Sequence, residues 1–112
     1  MAKYMVLYNS TATASETMAN ATPEEMKASV NEWIRWQNEA AKTAKVEFGL
    51  PLRTVSHISS SEVAKSDSQI SGYATIEGDS KEDIIKLLQT HPHLKRPGAS
   101  IDLLEMLSMP EL

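Results

Sequence analysis

The chain has 112 residues, of which 41% are hydrophobic and 23% charged; that suits one domain with a single core and excludes a largely disordered polypeptide. A net charge of −4 argues against a nucleic-acid partner, because phosphate binding needs a concentrated basic face. The absence of cysteine removes disulfides, thiolate catalysis and Cys-ligated zinc.

No apolar run approaches the roughly 20 residues that span a bilayer, and the N-terminal segment lacks the pattern of a signal peptide. A cytoplasmic chain with no membrane partner is expected. Asn9 and Asn20 begin glycosylation sequons, which need an export route to be used.

In chain order, Lys3–Tyr8 reads as a strand with Tyr4, Val6 and Tyr8 on one face and Met5 and Leu7 on the other. Asn9–Ala21 is rich in Ser, Thr and Ala without a hydrophobic period and reads as a long loop, either a binding loop or a low-complexity spacer. Thr22, Pro23 and Glu25 form a helix start, with a capping Thr, a first-turn Pro and a capping-box Glu. The helix then runs to about Lys45, and a 100° spacing places Met26, Val30, Trp33, Gln37, Ala40, Ala41 and Ala44 on its inner stripe.

Val46–Ile58 reads as a long or bent strand at a sheet edge, because Pro51 has no N–H for a ladder. Ser59–Gln69 is polar and turn-like. Ile70–Glu77 is the next strand, with Ile70, Gly72, Ala74 and Ile76 opposite Ser71, Tyr73 and Thr75. Ser80 caps a second helix whose stripe is Ile84, Leu87, Leu88 and His91, stopped by Pro92. Pro97 and Gly98 mark a turn, and Ser100–Leu107 is the last strand.

The order βαββαβ makes residues 1–112 a single α+β domain with a four-stranded antiparallel sheet and two helices on one face. Right-handed crossovers favour the ferredoxin-like arrangement. Apolar residues also occupy the second face of the first and last strands, at Met5, Leu7, Leu104 and Met106. A solvated face would alternate cleanly, so a second copy is expected to cover it, giving a homodimer through the sheet face.

The segments Lys3–Tyr8, Gly49–Leu52, Ser71–Ser80 and His91–Leu94, in this order and spacing over most of the chain, resemble the YCII-related family. The resemblance implies a ferredoxin-like domain of the dimeric α+β barrel superfamily. It also implies a kinship with muconolactone-isomerase-like or dehalogenating enzymes. A His/Asp pair proposed as the active site in one branch has its His in the first helix, and here that helix has none. Lys65–Ile70 stands where another branch carries Asp-Gly-Pro-Phe.

Two groups of residues are candidates for chemistry. His91 is either a helix-end hydrogen-bonding group or a general acid/base at a pocket mouth, favoured in its protonated form by the helix dipole. With His57 and His93 it supplies enough imidazoles for a metal, but Pro92 splits two of them and no carboxylate has matching spacing, so no metal is expected. Trp33, Trp36, Gln37 and Tyr73 are candidates to line a helix–sheet pocket for a flat, partly polar ligand. The alternative is that Trp33 is plain core and Trp36 covers an edge or the dimer seam.

No nucleophile elbow, phosphate loop or dinucleotide fingerprint occurs. The expected function is a cofactor-independent enzyme acting on a small planar aromatic or lactone-like molecule. The alternative is a non-catalytic ligand-binding or regulatory homodimer.

Overall fold

In the computed structural model, residues 2–11, 19–65 and 68–110 are described. The elements are β1 (Ala2–Asn9), α1 (Pro23–Ala40), β2 (Ala44–Pro51), β3 (His57–Ile58), β4 (Val63–Ala64), β5 (Ile70–Gly78), α2 (Lys81–Gln89), a 3-10 turn (Pro92–Lys95) and β6 (Ser100–Glu105). Most of the expected Asn9–Ala21 loop lies outside the described residues.

The main sheet has the order β2-β5-β1-β6, and each neighbouring pair is antiparallel. This is the α+β architecture, with four antiparallel strands and two helices, that the hydrophobic pattern indicates. The register aligns one inward row across the sheet. Tyr4, Val6 and Tyr8 of β1 lie opposite Ile76, Ala74 and Gly72 of β5, while Val6 and Tyr8 also face Leu103 and Ile101 of β6. Val46 and Phe48 of β2 complete the row. Both helices rest on this row, through Trp36 and Ala40 of α1 and Ile84 and Leu88 of α2.

The helix starts form as their capping residues dictate. The Glu25 N–H donates to the Thr22 hydroxyl at 3.1 Å, and the Asp83 N–H donates to Ser80 Oγ at 3.1 Å, each satisfying a backbone donor that the first turn leaves orphaned. The turn into β6 runs from Arg96 to Ala99, closed by the Ala99 N–H on the Arg96 carbonyl at 3.2 Å. Gly98 has φ +74° there, the conformation a type II turn requires after Pro97.

Several expected boundaries and faces differ. Helix α1 ends at Ala40, because Lys42 and Thr43 bond back three residues to Glu39 and Ala40 and the tightened backbone releases Ala44 into β2. Its buried side is also rotated from the expected stripe. Trp36 is 8% exposed, whereas Val30 is 55% and Met26 37% exposed. The large indole of Trp36 decides the phase, with its N–H reaching the Leu87 carbonyl at 3.0 Å and Thr90 Oγ1 at 3.2 Å, so that one side chain ties α1 to the end of α2.

The expected strand Val46–Ile58 stops at Pro51. The Leu52 N–H makes one last bond to the Ser71 carbonyl, and the chain then leaves the sheet. Within the segment read as a polar turn, Val63–Ala64 pairs with His57–Ile58 in a separate two-stranded ladder. Strand β6 ends at Glu105, two residues before the expected Leu107.

The rotated phase of α1 has a direct test. Trp36→Ala should cost about 3–5 kcal/mol in equilibrium urea unfolding, as for other buried aromatic truncations. Val30→Ala, which lies on the nominal inner stripe, should change stability by no more than about 0.5 kcal/mol.

Candidate functional site

The chemistry-bearing residues gather where β1, α1 and the 3-10 turn meet. Tyr8 is the last inward residue of β1, and Gly72 opposite leaves room for its ring: a Cβ there would touch Tyr8 Cδ2 at 3.5 Å. Around it stand Trp33 at 4.9 Å, His91 at 5.0 Å and His93 at 5.1 Å between ring centroids. Trp33 meets His91 edge-on at 4.5 Å, Trp36 lies 4.3 Å from the same imidazole, and Phe48 closes the far side 5.4 Å from Trp33. His91 therefore sits in a cage of aromatic rings and is 2% exposed.

The hydrogen bonds of His91 define its tautomer. It lies beyond the end of α2 and caps the 3-10 turn, its Nδ1 accepting the His93 N–H at 3.0 Å. A nitrogen that accepts carries no proton, so in the neutral ring the hydrogen is on Nε2, which donates to Tyr8 Oη at 3.0 Å. His93 is buried as well, and its Nε2–H donates to the Asn9 carbonyl at 2.8 Å.

Burial dominates the electrostatics. Desolvation, reinforced by the neighbouring His93, brings the His91 pKa down to about 4. His93 is also lowered by desolvation, partly offset by the Asn9 and Ser100 backbone groups and assisted by the Arg96 charge. Burial pushes the Tyr8 phenol above its usual range. All three groups are neutral at pH 7. The helix-dipole argument for a protonated His91 is thereby corrected, since the imidazole has left the helix and lost its water.

On the solvent side, an open groove of about 410 Å³ runs between the N-terminal half of α1 and the 3-10 turn. Ala28, Ser29 and Trp33 contribute its α1 wall together with Glu25 and Glu32; Pro92, Lys95, Arg96 and Pro97 form the other. Lys95 is held by Glu32 at 3.6 Å. Trp33 belongs both to this groove and to the buried aromatic cluster. It is the one anticipated pocket residue that lines a groove of this kind.

The other anticipated residues lie elsewhere. Gln37 is half-buried, and its Nε2 donates to the Val46 carbonyl of the edge strand β2 at 3.1 Å, so a backbone group takes one of its N–H donors. Trp36 is in the core. Tyr73 is on the opposite face of the sheet, where its ring covers Gly49, because strand alternation places it one residue out of phase with Gly72 and Ala74. A cleft shared by Trp33, Gln37, Tyr73 and His91 is therefore not formed. The three histidines do not gather either: His57 is exposed in β3, away from the buried pair. Among the described residues no three His, Asp or Glu side chains are grouped as metal ligands.

Tyr8 and Phe48 are not legible in the sequence as site residues. Tyr8 and Phe48 look like ordinary inward strand residues. The available signal was the small pair Gly72 and Ala74, which makes room for a ring as readily as for a helix. No helix among the described residues is long and apolar enough to cross a membrane. Compared with protein-family models and with curated proteins, the chain matches none.

The tautomer argument has a pH consequence. The unfolded chain protonates His91 near its ordinary value of 6.5 and the folded chain only near 4, so between these values the unfolded state binds more protons. The stabilisation is fully present above pH 6.5 and is lost as the pH falls toward 4, with His93 contributing in the same direction. Melting temperatures recorded from pH 8 to pH 4 should fall on the acid side. His91→Asn, which keeps an acceptor at the cap but does not titrate, should flatten that limb.

Gln37→Leu strands the Val46 carbonyl and should lower stability by about 1 kcal/mol, a drop of roughly 4–8 °C in calorimetry for a domain of this size. An unchanged melting temperature would mean that water replaces the amide at no cost.

Proposed function

We propose that this chain is a small-molecule-binding homodimer of the YCII-like kind, with a planar organic ligand seated in the groove beside Trp33. The groove itself carries the reading. Its volume of about 410 Å³ falls within the range of small-ligand sites, which combine apolar walls with a few polar groups. Pro92, Pro97, Ala28 and the Trp33 indole supply flat apolar surface, and Ser29 and the surrounding charges supply polar contacts.

The strand order β2-β5-β1-β6 with antiparallel neighbours supports a ferredoxin-like arrangement. The apolar second face of the sheet supports its pairing into a dimeric α+β barrel. Met5, Leu7 and Tyr73 are half-buried there, and Leu104 is 44% and Met106 40% exposed. No bound cofactor is part of this reading.

Binding is favoured over catalysis because His91, the candidate acid/base, is sealed from the groove and both of its nitrogens are engaged. Cofactor-independent catalysis on an aromatic or lactone-like substrate is a second reading, favoured by the Tyr8–His91 hydrogen bond behind Trp33. A substrate that displaced the indole would meet a phenol and a neutral imidazole already in proton-transfer contact.

A thermal-shift series with aromatic carboxylic acids and lactones tests the binding reading. A ligand present at ten times its Kd should stabilise the protein by about 1.4 kcal/mol, or several degrees. Ala28→Trp, at an exposed groove position, should abolish that shift and leave the unliganded melting temperature unchanged. No stabilisation by any of these compounds at millimolar concentration would end the proposal. If one of them is turned over, Tyr8→Phe should remove turnover while the thermal shift remains, which marks the catalytic reading as correct.

A further inference from the structure

Beyond the sheet, residues 52–65, which follow β2, form an arm that no other element covers among the described residues. From Pro51 through Val63 each residue is exposed. Its tip is nevertheless built: the Ser59 N–H donates to the Glu62 carbonyl at 2.9 Å, the Glu62 N–H to Ser59 Oγ at 3.2 Å, and Ile58 pairs directly with Val63 across the short ladder. Residues directly opposite in a ladder project from the same face, so Ile58 and Val63 form one apolar pair. Val55, Ile58 and Val63 are 70–79% exposed, and Leu50 at the root is 72% exposed. A structured hairpin that presents several large aliphatic side chains to water has an unfilled requirement.

The same chain carries a second unfilled surface, the sheet face bearing Met5, Leu7, Tyr73, Leu104 and Met106. The arm is rooted beside it: the Leu52 N–H bonds to the Ser71 carbonyl, one alternation step from Tyr73. The protomer is also more extended than a compact monomer of its size. The protomer exposes 8146 Å², where a compact monomer of 12.4 kDa exposes about 6,100 Å². Its radius of gyration is 15.7 Å, against about 13 Å for a compact chain of this length. The excess of about 2,000 Å² is more than the roughly 800 Å² that each partner buries in a standard stable interface.

We propose that the arm of residues 52–65 of one protomer clasps the open sheet face of a second copy, whose own arm returns the contact. This rests on the homodimer reading above and adds the element that holds the dimer. A two-fold operation covers the arm and the face of both chains at once and closes the assembly, whereas a foreign partner would have to match two separate apolar surfaces. Charge on the face is mixed: Lys45 and Glu47 lie 3.4 Å apart, and Lys3 stands opposite Glu77 in the ladder.

The absence of cysteine makes the test clean. Full-length Ile58→Cys protein is mixed with an affinity-tagged Leu104→Cys protein and treated with a short bismaleimide. A cross-linked pair containing one chain of each kind is expected. The triple variant Val55→Asp/Ile58→Asp/Val63→Asp changes only exposed positions and should keep its circular dichroism. Its dimer dissociation constant, read by sedimentation, should rise about 30-fold or more. If the wild type and the triple variant dimerise equally and no mixed cross-link forms, the arm inference fails while the dimer stands. If the wild type sediments as a monomer at micromolar concentration, the dimer reading fails and the arm inference with it.

Discussion

The structure around the groove depends on one buried imidazole remaining neutral. His91 must keep Nδ1 free of a proton to cap the 3-10 turn and must keep a hydrogen on Nε2 to reach Tyr8. Only the neutral ring can do both. Through these two bonds a single side chain joins the end of α2, the 3-10 turn and the central strand β1. Trp33 and Trp36 lie against the same ring and bring α1 into register with it. A charged imidazole would lose the cap and place an uncompensated charge among aromatic rings, both costly in a low-dielectric interior.

The groove follows from this arrangement. Its two walls are α1 and the 3-10 turn, so their separation is set by how the turn is pinned. Gly98 contributes on the far side: its positive φ lets the chain reverse into β6, and an added Cβ would sit 2.7 Å from Thr11 Cγ2. Trp33 is the physical link between the buried pair and solvent. Its ring lines the groove and lies 4.9 Å from Tyr8 and 4.5 Å from His91 between centroids.

The two sides of the sheet are unequal in a way that bears on assembly. The helix side is closed by Ile84, Leu88, Trp36 and Ala40. The other side has no second layer among the described residues, and the shortest dimension of the protomer, 20 Å, corresponds to one sheet and one layer of helices. An apolar face and a protruding apolar hairpin in the same small chain impose a common constraint, since both lose free energy in water in proportion to exposed apolar area.

The sequence alone determined the elements that depend on local chemistry and strict periodicity. Thr22 and Ser80 start the helices because a side-chain oxygen next to a first turn satisfies an orphaned N–H whatever else surrounds it. Tyr4, Val6 and Tyr8 face opposite Met5 and Leu7 because strand alternation admits no other phase. Pro51 marked its strand as an edge strand for the same local reason, and β2 is the outermost strand of the sheet. Tertiary structure alone decided the rest. The phase of α1 turned on where the bulky Trp36 indole found a carbonyl 51 residues away. Gln37 became a tie to β2, and His91 became a buried neutral ring, because their partners Val46 and Tyr8 stand on other elements. Spacing predicts which side chains share a face of one element, but hydrogen-bond partners and desolvation come from the other elements packed against it, and those fix the chemistry of a polar side chain.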